Sequence, residues 1–160
     1  MSNAAKDYVD ALVKATRNCT PIAYSFLKDH GRSFTKIEAE TKLGEQSQCY
    51  CNSYRMFLEA GFSYAEGIAV PKGLIPVHHA WCIDTEGQVR DPTWKDAADA
   101  QYFGVIFKES FVFKVALEIK VYGILDNLWM LGKNRSVQEV KDLLVSGLEE
   151  SKIEIRESVS

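Results

Sequence analysis

The feature that most constrains this chain is a change of hydrophobic period at Gly61. Between Cys49 and Ala60 the apolar side chains of Tyr50, Tyr54, Phe57 and Leu58 fall on one helical face, and Gly61 supplies a natural stop. Immediately beyond it, FSYAEGIAV (62–70), VHHAWCID (77–84) and QVRDPTW (88–94) are short, rich in β-branched and aromatic residues, and separated by Pro or Gly. A helix followed at once by three short strands predicts an α+β domain in which the helix beginning at Cys49 packs on an antiparallel sheet.

The flanking segments add helices. Tyr8, Val9, Leu12 and Val13 predict a helix over 4–16, with Ser2 or Asn3 as its cap. Thr20 before Pro21, with Gly31 at the far end, predicts a second helix over 21–30 whose first turn is capped by the Thr20 hydroxyl. His30 at its end suits the negative pole of the helix as a surface residue. Residues 32–44 are polar without a dominant period and read as a connection with one short strand, and 102–107 reads as a fourth strand or a loop. Over 110–121 two patterns compete: Val112, Val115, Ala116 and Ile119 recur helically, while Phe111, Phe113, Val115, Leu117 and Ile119 alternate, and the helix is preferred. Ser136 with Glu139 forms a capping box before Val140, Leu143, Leu144 and Leu148, predicting a last helix. The final SKIEIRESVS reads as an edge segment or a disordered tail.

At 160 residues, 46% of them hydrophobic, the chain is expected to form one domain over 1–160. Nineteen Lys plus Arg against 22 Asp plus Glu give a net charge of −3, which argues against nucleic acid as a partner. No apolar run approaches the roughly 20 residues needed to cross a bilayer, and MSNAAKDYVDAL lacks the basic flank and apolar core of a secretory signal, so no membrane partner and a cytoplasmic location are expected. Phosphate-cradling glycine loops and the H-E-x-x-H, G-x-S-x-G and deaminase patterns are absent, so no cofactor and no catalytic metal are implied. The four cysteines, Cys19, Cys49, Cys51 and Cys82, are irregularly spaced in a chain with ample core, which leaves free thiols for chemistry or metal binding.

Cys49 sits at a predicted helix start, where unpaired backbone amides and the helix dipole favour a thiolate. A base for it comes from the hairpin HAWCIDTEGQVRDPTW. If Thr85-Glu86-Gly87 is a three-residue loop with Gly87 left-handed, Trp81 lies opposite Asp91 with His79 as the diagonal neighbour on the same face. A two-residue loop at Glu86-Gly87 would instead set Asp91 opposite Cys82. In the first register Asp91 orients His79, and His79 takes the proton of Cys49, each partner supporting the charge of the other. His79 is then expected to hold its proton above the ordinary imidazole value of about 6.5. Cys51 competes as nucleophile but points to another side of the helix, and alternation sets His78 on the opposite face from His79. Trp81 reads chiefly as a core aromatic that could also wall the acyl site, while the Cys49 amide, with Gln46 or Gln48 as side-chain donors, is the candidate oxyanion stabiliser.

A Cys opening a helix, then His79-Ala80-Trp81 on a strand, then a glycine turn and Asp91-Pro92-Thr93-Trp94, resembles the transglutaminase-like branch of the papain-like cysteine enzymes. The resemblance spans about 46–94 and implies a papain-like core, with Cys49 as nucleophile, His79 as general base and acid, and Asp91 orienting His79. It also implies thiol-dependent acyl transfer from, or hydrolysis of, an amide in a peptide, a protein or a small molecule, with hydrolysis preferred. Gln48 before Cys49 departs from the small residue or glycine often found there. A rival use of the same residues is a zinc-stabilised binding module with Cys49, Cys51, His79 and Cys82 as ligands; its C-x-C spacing and opposed strand positions argue against it. A catalytically inactive binding domain is the remaining alternative.

Overall fold

The computed structural model describes residues 2–38 and 41–149. Helix α1 (Ala4–Thr16) starts where Asn3, not Ser2, caps it, its Oδ1 accepting the amides of Ala5 and Lys6 at 3.0 and 3.1 Å. Helix α2 (Ile22–His30) differs from the expected cap. The Thr20 hydroxyl donates to the Arg17 carbonyl at 2.8 Å, closing the preceding turn, and Pro21 stands at the N-cap without a side-chain bond. Gly31 ends α2, and the short strand expected in the polar stretch is β1 (Arg32–Phe34).

Helix α3 (Cys49–Ala60) ends at Gly61, which adopts φ 68°, the left-handed conformation that favours glycine. The strands β2 (Ser63–Val70), β3 (Val77–Ile83), β4 (Val89–Arg90) and β5 (Gln101–Phe107) follow, then α4 (Glu109–Ile119), α5 (Leu128–Leu131) and α6 (Val137–Ser146). The two readings left open by the sequence resolve as a strand at 101–107 and a helix at 109–119. In α4 the buried positions are Phe111, Val112, Val115 and Ile119, while Phe113 and Leu117, which alternation would bury, are exposed. At α6 both halves of the Ser136–Glu139 capping box form. The sequence reading of a strand over 88–94 is corrected to two residues. Pro92 has no amide to pair, and Asp91 Oδ1 takes the amides of Thr93 and Trp94, so the chain turns out of the sheet after Arg90. SKIEIRESVS lies outside the described residues.

The fold is α+β: six helices and one five-stranded sheet among the described residues, in the order β1-β5-β2-β3-β4, antiparallel at every pairing. Both sheet faces are covered. Tyr64, Ile68, Ala80, Cys82, Phe103 and Val105 face the helices, where Val9, Leu27, Phe57, Val112 and Leu144 complete one core. The alternate residues Ala65, Trp81, Ile83, Tyr102 and Ile106 form a second core with Phe34 and Val89, and Trp94 packs against it. Each large apolar side chain buried in this way stabilises the fold by about 1.5–3 kcal/mol. Alternation along β3 therefore sends Cys82 to the helix side and His79 to the other.

One sheet row explains how the second face accommodates so many rings. Gly67 pairs with both His79 and Gly104, so two glycines continue the histidine's row across β2 and β5. A Cβ on Gly104 would lie 2.8 Å from the Trp81 ring and 2.3 Å from the Glu66 carbonyl, so only glycine lets that indole lie over β5.

On the helix face a carboxylate is buried. Glu66 Oε1 accepts the Tyr64 hydroxyl at 2.7 Å and the Ile124 amide at 2.5 Å, and Oε2 accepts the Leu125 amide at 2.8 Å. Burial pushes its carboxyl up to about 7, outweighing these three donors. Glu66 thereby ties the turn at Leu125–Asn127 to the middle of β2. No helix among the described residues is long and apolar enough to cross a membrane.

Candidate active site

The hairpin takes the three-residue form. Cys82 pairs with Arg90 and Ile83 with Val89, the Asp84 amide donates to the Gln88 carbonyl at 3.0 Å, and Gly87 has φ 79°. The Asp84 carboxylate fixes the loop by accepting the amides of Glu86 and Gln88, each at 2.9 Å, and the Arg90 Nε at 2.9 Å. Continuing that register by one step sets Asp91 across from Trp81, so its side chain reaches the His79 face.

Asp91 and His79 meet there with almost no solvent access, each 1% exposed. Asp91 Oδ2 is 2.8 Å from His79 Nε2 and also accepts the Tyr102 hydroxyl at 2.7 Å, while Oδ1 accepts the amides of Thr93 at 2.9 Å and Trp94 at 3.2 Å. Every one of these contacts is a donor facing a carboxylate, and the Trp94 ring stacks on the imidazole at 3.8 Å and 16°. Burial opposes the Asp91 anion, yet His79, Tyr102 and the Thr93 amide together hold its carboxyl below the usual range.

Cys49 is the first residue of α3 and is partly exposed. Its amide is among those that a helix leaves without an intrahelical partner. Burial would lower the His79 imidazolium, but hydrogen bonding and charge from Asp91 and from the Cys49 thiol outweigh it and raise it to about 9. Nε2 belongs to Asp91, so Nδ1 is the ring nitrogen left for the thiol. A buried imidazole with a carboxylate on one side and a thiol on the other can take the thiol proton and later deliver it to a leaving group.

The other candidates lie apart from this pair. Cys51 interacts with Tyr122, whose phenol it helps to raise. The Cys82 thiol donates to the Ser53 carbonyl at 3.2 Å under the helices, and Cys19 is exposed. Cys49, Cys51, His79 and Cys82 thus do not converge, and among the described residues no group of three or more His, Cys, Asp or Glu side chains could hold a metal ion. His78 lies on the helix side with its Nε2 2.8 Å from the Tyr24 hydroxyl.

Trp81 is 0% exposed, in edge contact with Phe34 and Tyr102, so it packs the second core and has no surface with which to wall an acyl site. Gln46 and Gln48 are both exposed. Gln48 occupies the N-cap position without a capping bond, and Gln46 lines a cleft of about 520 Å³ together with Ser47, Leu74 and Trp94. Through Trp94 this cleft adjoins the imidazole.

Two site residues escape the sequence reading. Tyr102 falls there in a segment read as a fourth strand or a loop, and its hydroxyl reaches Asp91 through the placement of β5 between β1 and β2. Asn52 looks like a polar helix residue between Gln48, Arg55 and Glu59, and nothing in that pattern signals that it is buried, at 5% exposure. Its Nδ2 donates to the Glu45 carbonyl at 2.7 Å and to the Thr93 hydroxyl at 3.0 Å. Comparison of the chain with protein-family models, with curated proteins and with solved structures gave no match.

Proposed function

We propose that this chain is a cysteine acyl-transfer enzyme of the papain-like, transglutaminase-like kind, and that it hydrolyses an amide bond in a peptide, protein or small molecule through Cys49, His79 and Asp91. His79 Nδ1 accepts the proton of Cys49, and the thiolate sulfur attacks the amide carbonyl carbon. The Cys49 backbone amide stabilises the oxyanion. As the tetrahedral adduct collapses, the C–N bond breaks and His79 gives its proton to the departing amine, leaving a thioester on Cys49. Water then attacks the thioester, His79 takes its proton, the C–S bond breaks, and the carboxylic acid leaves as the thiol is restored. An amine in place of water would complete a transfer by the same steps. Gln46, exposed at the cleft wall, is the side chain kept as a second oxyanion donor on the substrate side.

The observation that carries this reading is a histidine 1% exposed, bonded at 2.8 Å to a carboxylate whose other partners are all donors, and interacting with the Cys49 thiol at the start of a helix. Profiling of the purified protein with an electrophilic acyl probe, followed by peptide mapping, tests it. The reading expects a label on Cys49 that is lost in His79→Ala and retained in Cys51→Ser. Labelling confined to Cys19, Cys51 or Cys82 would overturn it.

A further inference from the structure

We infer that Asn52 is a positioning residue that clamps the Cys49 end of α3 to the Asp91 turn and so sets how the thiol meets His79. The inference rests on the reading of Cys49 and His79 as a reacting pair and adds how that pair is held. Three separately folded pieces must be brought into register: the strap before Cys49, the first turn of α3, and the turn that carries Asp91. They converge on one side-chain amide. Asn52 lies three residues after Cys49, and its Nδ2 donates to the Glu45 carbonyl in the strap at 2.7 Å and to the Thr93 hydroxyl in the turn at 3.0 Å. The Thr93 amide in turn donates to Asp91 Oδ1 at 2.9 Å, and Asp91 holds His79. A continuous run of hydrogen bonds therefore links the nucleophile helix to the imidazole from the side opposite the thiol.

The backbone beside it is fitted to the same purpose. The Gly44 amide donates to the Pro92 carbonyl at 2.7 Å, a second tie between strap and turn. A Cβ at Gly44 would lie 2.2 Å from Asn52 Oδ1, so the strap can pass this close only as glycine. The rest of α3 is anchored farther along by Phe57 in the core and by the Cys82 bond to the Ser53 carbonyl. In the first turn itself Tyr50 packs on the helix-side core, and Asn52 supplies the tie to the strap and to the Asp91 turn.

The residue type matters because the Glu45 carbonyl can only accept. An amide supplies two donors from one nitrogen, whereas a carboxylate of the same shape supplies none and would face a carbonyl oxygen in a site with little water. Asn52→Asp thus removes the donor to the Glu45 carbonyl and reverses the bond to Thr93, whose hydroxyl must then donate, almost without change of volume; Thr93→Val removes the acceptor in the turn, while Thr93→Ser keeps the hydroxyl.

The test is the rate of Cys49 alkylation by iodoacetamide from about pH 5 to about pH 9, with His79 followed by imidazole nitrogen NMR. Peptide mapping assigns the alkylated thiol. The expected result is that Asn52→Asp and Thr93→Val slow Cys49 alkylation at neutral pH by about tenfold, as for the loss of one buried hydrogen bond. The His79 titration should shift in both, and Thr93→Ser should return the rate to within about threefold of wild type. A residue that only stabilised the fold would lower the melting temperature and leave the pH profile of the folded protein unchanged. Should Asn52→Asp not fold, Thr93→Val decides. If His79→Ala changes the profile while folded Asn52→Asp and Thr93→Val keep the wild-type one, the clamp is overturned and the reacting pair stands. If His79→Ala itself leaves the profile unchanged, both are overturned.

Discussion

Asp91→Asn is the perturbation whose consequence is most closely determined by geometry. Oδ1 accepts two backbone amides, from Thr93 and Trp94, and Oδ2 faces His79 Nε2 and the Tyr102 hydroxyl. An asparagine there must keep its oxygen on the two amides, since turning the NH2 toward them would oppose donors to donors. Its NH2 then points at Nε2, which must accept, so the imidazole proton moves to Nδ1, the nitrogen that should be receiving the thiol proton. The wild-type imidazolium is raised to about 9, roughly 2.5 units above the ordinary 6.5 and worth roughly 3 kcal/mol. That stabilisation is fully present below about pH 6.5 and is lost as pH rises through about 9. Without the Asp91 anion, burial is opposed only by Cys49, and the His79 titration should fall by about 1–3 units. Turnover of any amide substrate should fall by up to about 10⁴-fold with the thiol still present. Nitrogen-detected NMR of His79 reads both the tautomer and the titration, and a coupled assay reads the rate. A variant with the wild-type titration, or with unchanged turnover, would mean that another residue orients the histidine.

Two further outcomes follow from groups away from the reacting pair. Glu66, at about 7 in the fold against an ordinary 4.5, favours the folded protein fully below about pH 4.5, and that advantage is lost as pH rises through about 7. The difference in unfolding free energy between wild type and Glu66→Gln should therefore move in favour of the variant by roughly 3 kcal/mol between about pH 4.5 and pH 8, whatever its constant offset. Urea melts at several pH values check this, and a pH-independent difference would contradict it. Gly104→Ala would drive a methyl against the Trp81 ring and the Glu66 carbonyl, and should destabilise the protein by at least about 1–3 kcal/mol in thermal unfolding; a neutral result would mean β5 and Trp81 are not in this register.

What the sequence makes legible is what is set locally. The helix over 49–60 follows from its apolar stripe and Gly61, and the hairpin register follows from Gly87, whose left-handed φ permits the three-residue loop. The hairpin register sets His79 and Asp91 on one face, and the family resemblance adds Cys49 to them. What is not legible depends on distant pairing. The sheet order inserts β5 between β1 and β2, and only this brings the Tyr102 hydroxyl to Asp91. Nothing within the 62–70 strand marks Glu66 as buried, because the two amides that receive it come from the turn near Leu125, almost sixty residues away. The strand expected over 88–94 is cut short because Asp91 spends one oxygen on Thr93 and Trp94, a use of a carboxylate that strand periodicity does not reveal. The burial of Trp81 is as its reading as a core aromatic expects, whereas the Phe34 and Tyr102 rings it packs against come from distant strands.

The central claim is that Cys49 and His79 act as one chemical unit, and its most direct measurement is the acyl-enzyme itself. Wild-type protein mixed with an activated amide or ester and quenched in acid should carry one acyl group, cleavable by hydroxylamine as a thioester and mapped to Cys49. His79→Ala should fail to form it at neutral pH, and Cys51→Ser should form it normally. An adduct on Cys51, or one on Cys49 that forms equally fast without His79, would contradict the account.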